Sequence, residues 1–199
     1  ALDKNHKDLD ELLIDLALEK QKTLKLAYEE LGLNINPLIL IQLPNDEQEK
    51  KDTDGQNKLD FSKEYLIKNN IDKSEIATWL SDKKENLDNI VKDGAIEKVL
   101  IFKQAAATGW DCPRAQILVS FREIKSPVFR VQVLGRILRM PEAKHYENNL
   151  LNHSYCYTSY SKQEVSVQVA TDGINKPQIH LSSIKQGLNN IALKSVFLS

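Results

Sequence analysis

Every arginine of the chain lies in one stretch, from Arg114 to Arg139, whereas lysines occur almost throughout. Arginine carries a planar, permanently charged guanidinium that can bind a phosphate or a carboxylate through two parallel hydrogen bonds. Residues 98–144 contain nine lysines and arginines against three acidic residues, although the net charge of the chain is -1. This stretch is therefore expected to bind an anion such as a phosphate or a nucleic-acid backbone. The alternative is a solvated basic surface without a partner.

The end of the stretch has the spacing of one helical face. Residues three, four and seven positions apart lie on the same side of a helix. The residues that share this spacing are Gln132, Gly135, Arg136 and Arg139. Their neighbours are apolar, so the helix predicted over residues 128–140 is expected to be buried except along this stripe. Pro141 ends it, because proline disfavours helical geometry at the preceding residue.

A second group with chemical potential lies upstream, in residues 107–115. Gly109 permits close approach of the backbone to a ligand, and Thr108 offers a hydroxyl. Asp111 can orient an arginine or a water, although a helix cap or a turn would also use an aspartate. Trp110 is better explained by packing than by stacking on a base.

Apolar runs bounded by prolines and polar residues predict the sheet that positions these groups. The predicted strands are 37–44, 76–80, 99–102, 117–121 and 155–158. Helices are expected at 8–31, ended by Gly32, and at 61–69, and residues 82–92 are either a helix or a loop. Strands that alternate with helices indicate an α/β fold with a mainly parallel sheet. Ligands of such sheets gather beyond the carboxyl ends of the strands, which is where residues 103–113 are expected.

Three divisions of the chain follow from these patterns. Residues 1–36 form an N-terminal helical segment, residues 37–160 the α/β domain, and residues 161–199 a C-terminal extension. Residues 45–57 are polar and predict a loop, and residues 165–169 alternate like an exposed strand. The last twenty residues are either a helix or the start of another segment. The opening residues lack an initiator methionine, which indicates a piece of a longer protein.

Composition excludes several classes of protein. Cys112 and Cys156 give neither a disulfide framework nor zinc spacing, so no metal site is expected and a reducing cytoplasm is the expected location. No run is long and apolar enough for a membrane-spanning helix. The chain has no phosphate loop of the form Gly-x-x-x-x-Gly-Lys-Ser/Thr and no Asp-Glu box at the end of an apolar strand.

The two motifs resemble those of a known family. Residues 108–113 resemble motif V of superfamily 2 helicases, and residues 132–139 resemble motif VI. The amino-acid sequence of residues 102–141 is most similar to that of the restriction (Res) subunit of type III restriction enzymes. Residues 37–44 are similar to the first strand of that family's second motor domain. The resemblance spans residues 8–160 and is specific over 98–141.

The resemblance implies a RecA-like domain that holds ATP and Mg²⁺ together with a first RecA-like domain. Arg139 would be the arginine finger, Arg136 its partner on the phosphates, and Gln132 a residue that couples the domains. Gly109, Asp111 and Gly135 would lie near the nucleotide. Thr108 would contact the backbone of double-stranded DNA. Beside the resemblance, Lys103 and Gln104 are candidates for further DNA contacts, and Arg114 either contacts DNA phosphates or solvates the edge of the sheet.

The resemblance also implies partners and leaves rivals open. A DNA methyltransferase subunit would accompany the chain, and the nuclease centre would lie elsewhere in the protein. Because this chain supplies half of an ATP site, it is expected to be inert alone. A repair or remodelling helicase is the alternative within the same superfamily. A non-catalytic interaction module of the same fold is the alternative from another class.

Overall fold

The computed structural model describes residues 2–44, 57–103, 110–122, 135, 137, 139, 141–159 and 191–194. Within them, seven strands form one sheet in the order β3-β2-β4-β1-β5-β6-β7. The strands are β1 (Leu38–Gln42), β2 (Ile76–Trp79), β3 (Lys84–Glu85), β4 (Val99–Phe102), β5 (Ala115–Ser120), β6 (His153–Thr158) and β7 (Ile191–Lys194). The five strands from β2 to β6 in this order are parallel, and β3 and β7 pair antiparallel at the two edges.

This sheet confirms the α/β fold class predicted from the sequence, a mainly parallel sheet with helices packed against it. Its RecA-like type remains a prediction. All five residues of β1 are buried because the strand lies at the centre, with β4 on one side and β5 on the other. A strand covered on both faces reads as a continuous apolar run, as residues 38–41 do.

Alternate residues of the strands point into two hydrophobic cores. One core contains Ile39, Ile41, Ile101 and Val119 and is covered by α1 (Leu2–Glu30) and α2 (Lys58–Lys68). The other contains Leu40, Leu100 and Leu118 and is covered by Ile90, Cys112 and Ile137. The sheet therefore separates the helices α1 and α2 from the segments that carry the candidate site.

The helix α1 packs along the sheet rather than standing apart from it. Leu13, Ala17, Leu24 and Tyr28 recur on one face of α1 and are all buried. The Tyr28 hydroxyl donates to Gln116 Oε1 of β5 at 2.8 Å. Packing thus joins the predicted N-terminal segment to the sheet, and β7 adds residues from the predicted C-terminal extension. The boundaries at residues 36 and 160 remain predictions.

Local signals explain where α2 begins and ends. The Asn57 side chain accepts a hydrogen bond from the Leu59 amide at 2.9 Å, which satisfies one of the free donors of the first turn. The chain leaves the helix through Asn70, which has a φ of 62°, a left-handed geometry that asparagine tolerates better than most residues. Residues 82–92 form β3 and turns instead of a helix.

Some predictions fall wholly or partly outside the described residues. Of the helix predicted over 128–140, Gly135 and Ile137 are described as helical and Arg139 follows them. The strand predicted over 165–169 lies outside the described residues, as does most of the loop over 45–57. Among the described residues, no helix combines the length and apolar character needed to cross a membrane.

Shortening a buried side chain of α1 should destabilise the whole domain. Leu24 is fully buried, whereas Leu26, one half-turn further along the same helix, is 60% exposed. We expect Leu24→Ala to lower the free energy of unfolding by about 2–5 kcal/mol because it leaves a cavity in the core. The Leu26→Ala control should change it by less than about 0.5 kcal/mol. Urea unfolding measures both, and equal small effects would contradict the packing of α1 on the sheet.

Candidate functional site

The two motifs meet near the amino edge of the sheet. The chain leaves β4 at its carboxyl end, where Lys103 lies, and residues 112–114 lead into the amino end of β5. Lys103 follows β4, whereas Ala115 opens β5 and pairs with Leu38, the first residue of β1. The expectation that residues 103–113 all lie beyond the carboxyl ends is therefore corrected. It holds for Lys103 but not for Cys112 and Pro113.

The segment that carries Arg139 also lies near the amino edge of the sheet. The hydroxyl of Ser154, the second residue of β6, donates a hydrogen bond to the backbone oxygen of Ile137. Because Ser154 lies at the amino end of β6, the Ile137 backbone lies at that edge too. Ile137 itself is fully buried, and Arg139, two residues on, is exposed.

Asp111 and Arg139 form an ion pair. Arg139 Nη1 lies 2.5 Å from Asp111 Oδ2, and the two side chains are 51% and 54% exposed. An exposed pair of this kind contributes about 0–1 kcal/mol, since water screens both charges. The fold does not depend on it, and both groups remain open to a ligand.

Gly135 leaves space on the exposed face of its helix. It is exposed, and a Cβ placed on it would meet nothing within 4 Å. Packing within the described residues therefore does not require a glycine at this position. The open space is compatible with the close approach of a ligand or another domain, which is the role expected for Gly135.

Arg114 is a correction to the sequence-based assignment. Its side chain is fully buried, and its guanidinium donates to three backbone carbonyl oxygens at 2.7–2.9 Å. The three acceptors are those of Ile90, Asn36 and Glu97. Burial lowers the pKa of Arg114. A side chain enclosed in this way does not reach a nucleic-acid backbone, so we assign it a structural role.

Glu97 completes the surroundings of Arg114. The carboxylate is buried, and its Oε2 lies 3.9 Å from Arg114 Nη2. The side chain of Asn36 lies beside this pair: its Oδ1 accepts a hydrogen bond from Gln21 Nε2 of α1, and its Nδ2 donates one to the backbone oxygen of Ala95. Neither Glu97 nor Asn36 could be identified from the sequence, because neither belongs to a motif or to a periodic pattern.

The two cysteines are buried and are not placed for nucleophilic chemistry. Burial raises the pKa of the Cys112 thiol to about 11 and that of Cys156 to about 12. Both thiols are therefore protonated at neutral pH and are poor nucleophiles. Within the described part of the chain, no three histidine, cysteine or carboxylate groups converge on a position for a metal ion.

The tryptophan next to Asp111 packs against the sheet. The Trp110 ring meets the Trp79 ring edge to face, with centroids 6.1 Å apart, and both border the second core. This contact agrees with the packing interpretation of Trp110. Other site residues predicted from the sequence lie outside the described residues, namely Gln104, Thr108, Gly109, Gln132 and Arg136.

Comparisons with known proteins include a distant structural similarity. No family model matches the chain, and no curated protein matches it. Among solved structures, it is similar to the C-terminal part of the Fun30 ATPase domain, with 16% sequence identity and a TM-score of 0.44. The match covers 76% of this chain and 45% of that one. A similarity this distant does not define an activity.

Replacing Arg114 should destabilise the domain far more than replacing Arg139. Arg114→Met leaves three buried carbonyl oxygens without their donor and the Glu97 carboxylate without a cation. We expect a loss of about 3–5 kcal/mol in the free energy of unfolding, the range for breaking one side of a buried pair. The matched control, Arg139→Met, should cost at most about 1 kcal/mol because its pair is exposed. Chemical denaturation of the two variants measures this difference, and a stable Arg114→Met protein would contradict the structural role.

Proposed function

We propose that this chain is the second RecA-like domain of an ATP-driven nucleic-acid motor of superfamily 2. More specifically, we propose that it belongs to the restriction subunit of a type III restriction enzyme. The observation that carries the proposal is the ion pair between Asp111 and Arg139. It joins the segment that resembles motif V to the segment that resembles motif VI, and it leaves both side chains half exposed.

The chemistry of this pair suits a phosphate of ATP. A guanidinium offers charge and a rigid fork of donors to a phosphate group. An arginine supplied across an interface stabilises the charge that develops on the transferred phosphoryl group and accelerates hydrolysis by roughly 10³–10⁵. Arg139 is exposed enough to be supplied in this way. Asp111 would then lose its contact with Arg139 and instead contact the ribose or another part of the nucleotide.

The remaining parts of an ATP site would come from a first RecA-like domain. The chain has neither a phosphate loop nor an Asp-Glu box, and the described residues near Arg139 offer one cation and one carboxylate rather than a metal site. These residues fit a contact with phosphate but not the binding of Mg²⁺. Magnesium, when bound by the first domain, would neutralise phosphate charge, while Arg139 and, by resemblance, Arg136 and Gln132 would act from this side.

Nucleic acid would bind at the opposite edge of the sheet. Lys103 follows the carboxyl end of β4, whereas Ile137 and Arg139 lie at the amino edge. Contacts to phosphates hold a track without reading its sequence, as a translocase requires. Gln104 and Thr108 would join Lys103 in this contact to double-stranded DNA, and a methyltransferase subunit would accompany the motor.

Arg139 should be essential for turnover but not for folding. In the complete protein, we expect Arg139→Ala to lower DNA-stimulated ATP hydrolysis by at least about a thousandfold, as for other arginine fingers. Arg139→Lys should also be severely impaired, because an ammonium group lacks the planar fork. Lys83→Ala is the matched control, since Lys83 is an exposed cation paired with Glu85 at the far edge of the sheet. Near-normal turnover by Arg139→Ala would remove the finger role.

Lys103 should contribute a sequence-independent, salt-sensitive contact to DNA. In the complete protein, we expect Lys103→Ala to weaken binding to two unrelated duplexes equally and to reduce the slope of log K against log salt by about one. Lys92 is the matched control because it lies on the amino side of the sheet. There the Asn36 amide, which shortly precedes β1, donates a hydrogen bond to the carbonyl oxygen of the neighbouring Asp93. Lys92→Ala should leave the slope unchanged. A loss confined to one duplex sequence would contradict the backbone contact.

A further inference from the structure

The turn that follows Arg139 has an unusual backbone. Glu142 and Ala143 have φ values of 55° and 48°, so two consecutive residues other than glycine adopt left-handed geometry. Such residues are strained and persist only where surrounding contacts hold them. The turn lies directly after buried Pro141, two residues from Arg139. The contacts that hold this turn therefore act close in sequence to Arg139.

The hydroxyl of Tyr146 contacts the turn at two acceptors. Its oxygen lies 3.1 Å from the Pro141 carbonyl oxygen and 3.2 Å from Glu142 Oε2, two acceptors that share its one proton. Lys144 Nζ lies 2.7 Å from the same Glu142 oxygen. The turn is thus closed over the Tyr146 side chain, which is itself buried.

Tyr146 is in turn fixed from two sides. The Asn152 side chain accepts a hydrogen bond from the Tyr146 amide at 2.8 Å and donates one to its carbonyl oxygen at 2.7 Å. The Tyr146 ring packs edge to face on Tyr28 of α1, with centroids 5.4 Å apart. Tyr28 bonds Gln116 of β5, and Gln116 bonds the Leu151 carbonyl oxygen. These contacts hold the Tyr146 side chain in place relative to the sheet and to α1.

Arg139 lies midway between two such backbone attachments. Two residues before it, the Ile137 carbonyl oxygen accepts from the Ser154 hydroxyl of β6. Two residues after it, the Pro141 carbonyl oxygen accepts from the Tyr146 hydroxyl. Buried side chains thus hold the backbone on both sides of an exposed arginine. An exposed pair with Asp111 is too weak to position Arg139 by itself.

We propose that Tyr146 is a positioning residue for Arg139, and that its hydroxyl, with that of Ser154, sets the point from which the guanidinium reaches an anion. Its effect on turnover rests on the function proposed above. Positioning a phosphate-binding group matters because a displacement of about 1 Å at a reacting centre can cost about a hundredfold in rate. Neither hydroxyl touches the ligand, so both act through the backbone of the segment 137–141.

The first test uses the chain alone and does not depend on ATP hydrolysis. In ¹⁵N NMR spectra at low temperature, the Arg139 Nη1–H signal, which reports the contact with Asp111, is assigned by its loss in Arg139→Ala. We expect Tyr146→Phe, which keeps the ring on Tyr28, to move this signal towards that of a free arginine and to raise its exchange with water about tenfold, since the pair with Asp111 loosens. Ser154→Ala, which removes the other attachment, should act in the same direction.

The matched control is Tyr155→Phe. Tyr155 is also buried, and its hydroxyl donates to a backbone oxygen, that of Leu150, at 3.0 Å. This variant loses the same kind of hydrogen bond without touching the segment 137–141, so the Arg139 signal should stay unchanged. An Arg139 signal in Tyr146→Phe that matches the one in Tyr155→Phe would overturn the proposal, and Ser154→Ala decides the same question if Tyr146→Phe does not fold.

The second test uses the complete protein and separates this proposal from the proposed function. We expect Tyr146→Phe to lower kcat about ten- to a hundredfold while KM for ATP changes little, because Arg139 acts in the transition state. A kcat equal to that of Tyr155→Phe, in a protein where Arg139→Ala abolishes turnover, contradicts the positioning role alone. Full turnover by Arg139→Ala contradicts the proposed function, and the NMR result still decides whether Tyr146 positions Arg139.

Discussion

The buried guanidinium of Arg114 is the interaction on which the arrangement of the amino edge depends. A charge in the interior is costly unless it is paired or hydrogen-bonded, and here Nε and Nη1 donate to backbone oxygens of three separate segments. Two of them, at Asn36 and Glu97, shortly precede β1 and β4, and Arg114 itself immediately precedes β5. One side chain thus aligns the starts of three neighbouring parallel strands.

This alignment also fixes the segment that carries Asp111. Cys112 accepts a backbone hydrogen bond from Ala115 and packs into the second core, so the residues before Arg114 have little freedom. The half-exposed pair with Arg139 forms where this constrained segment meets the turn held by Tyr146. Buried contacts therefore fix the positions of the two segments, and the exposed charges remain available for a ligand. Buried support for exposed functional groups is typical of sites built on rigid elements.

The sequence predicted the parts of this structure that have local signals. The apolar runs at β1 and β4 predicted strands, and both strands are buried throughout. The exposure of Arg139 followed from the polar stripe of its helix. The burial of Arg114 could not be predicted, because its acceptors come from residues 36, 90 and 97 and exist only after folding. Tyr146 was missed for the same reason: its partners Tyr28 and Asn152 share no periodic pattern with it.

The antiparallel strand β3 has a consequence for the behaviour of the protein in concentrated solution. An open sheet edge presents free backbone groups to which a strand from another molecule can pair, and short, charged edge strands discourage such pairing. β3 contains only Lys84 and Glu85, and both are exposed. Lys63 and Lys83 add charge by pairing with Glu85. This edge is thereby protected against the intermolecular strand addition that leads to aggregation.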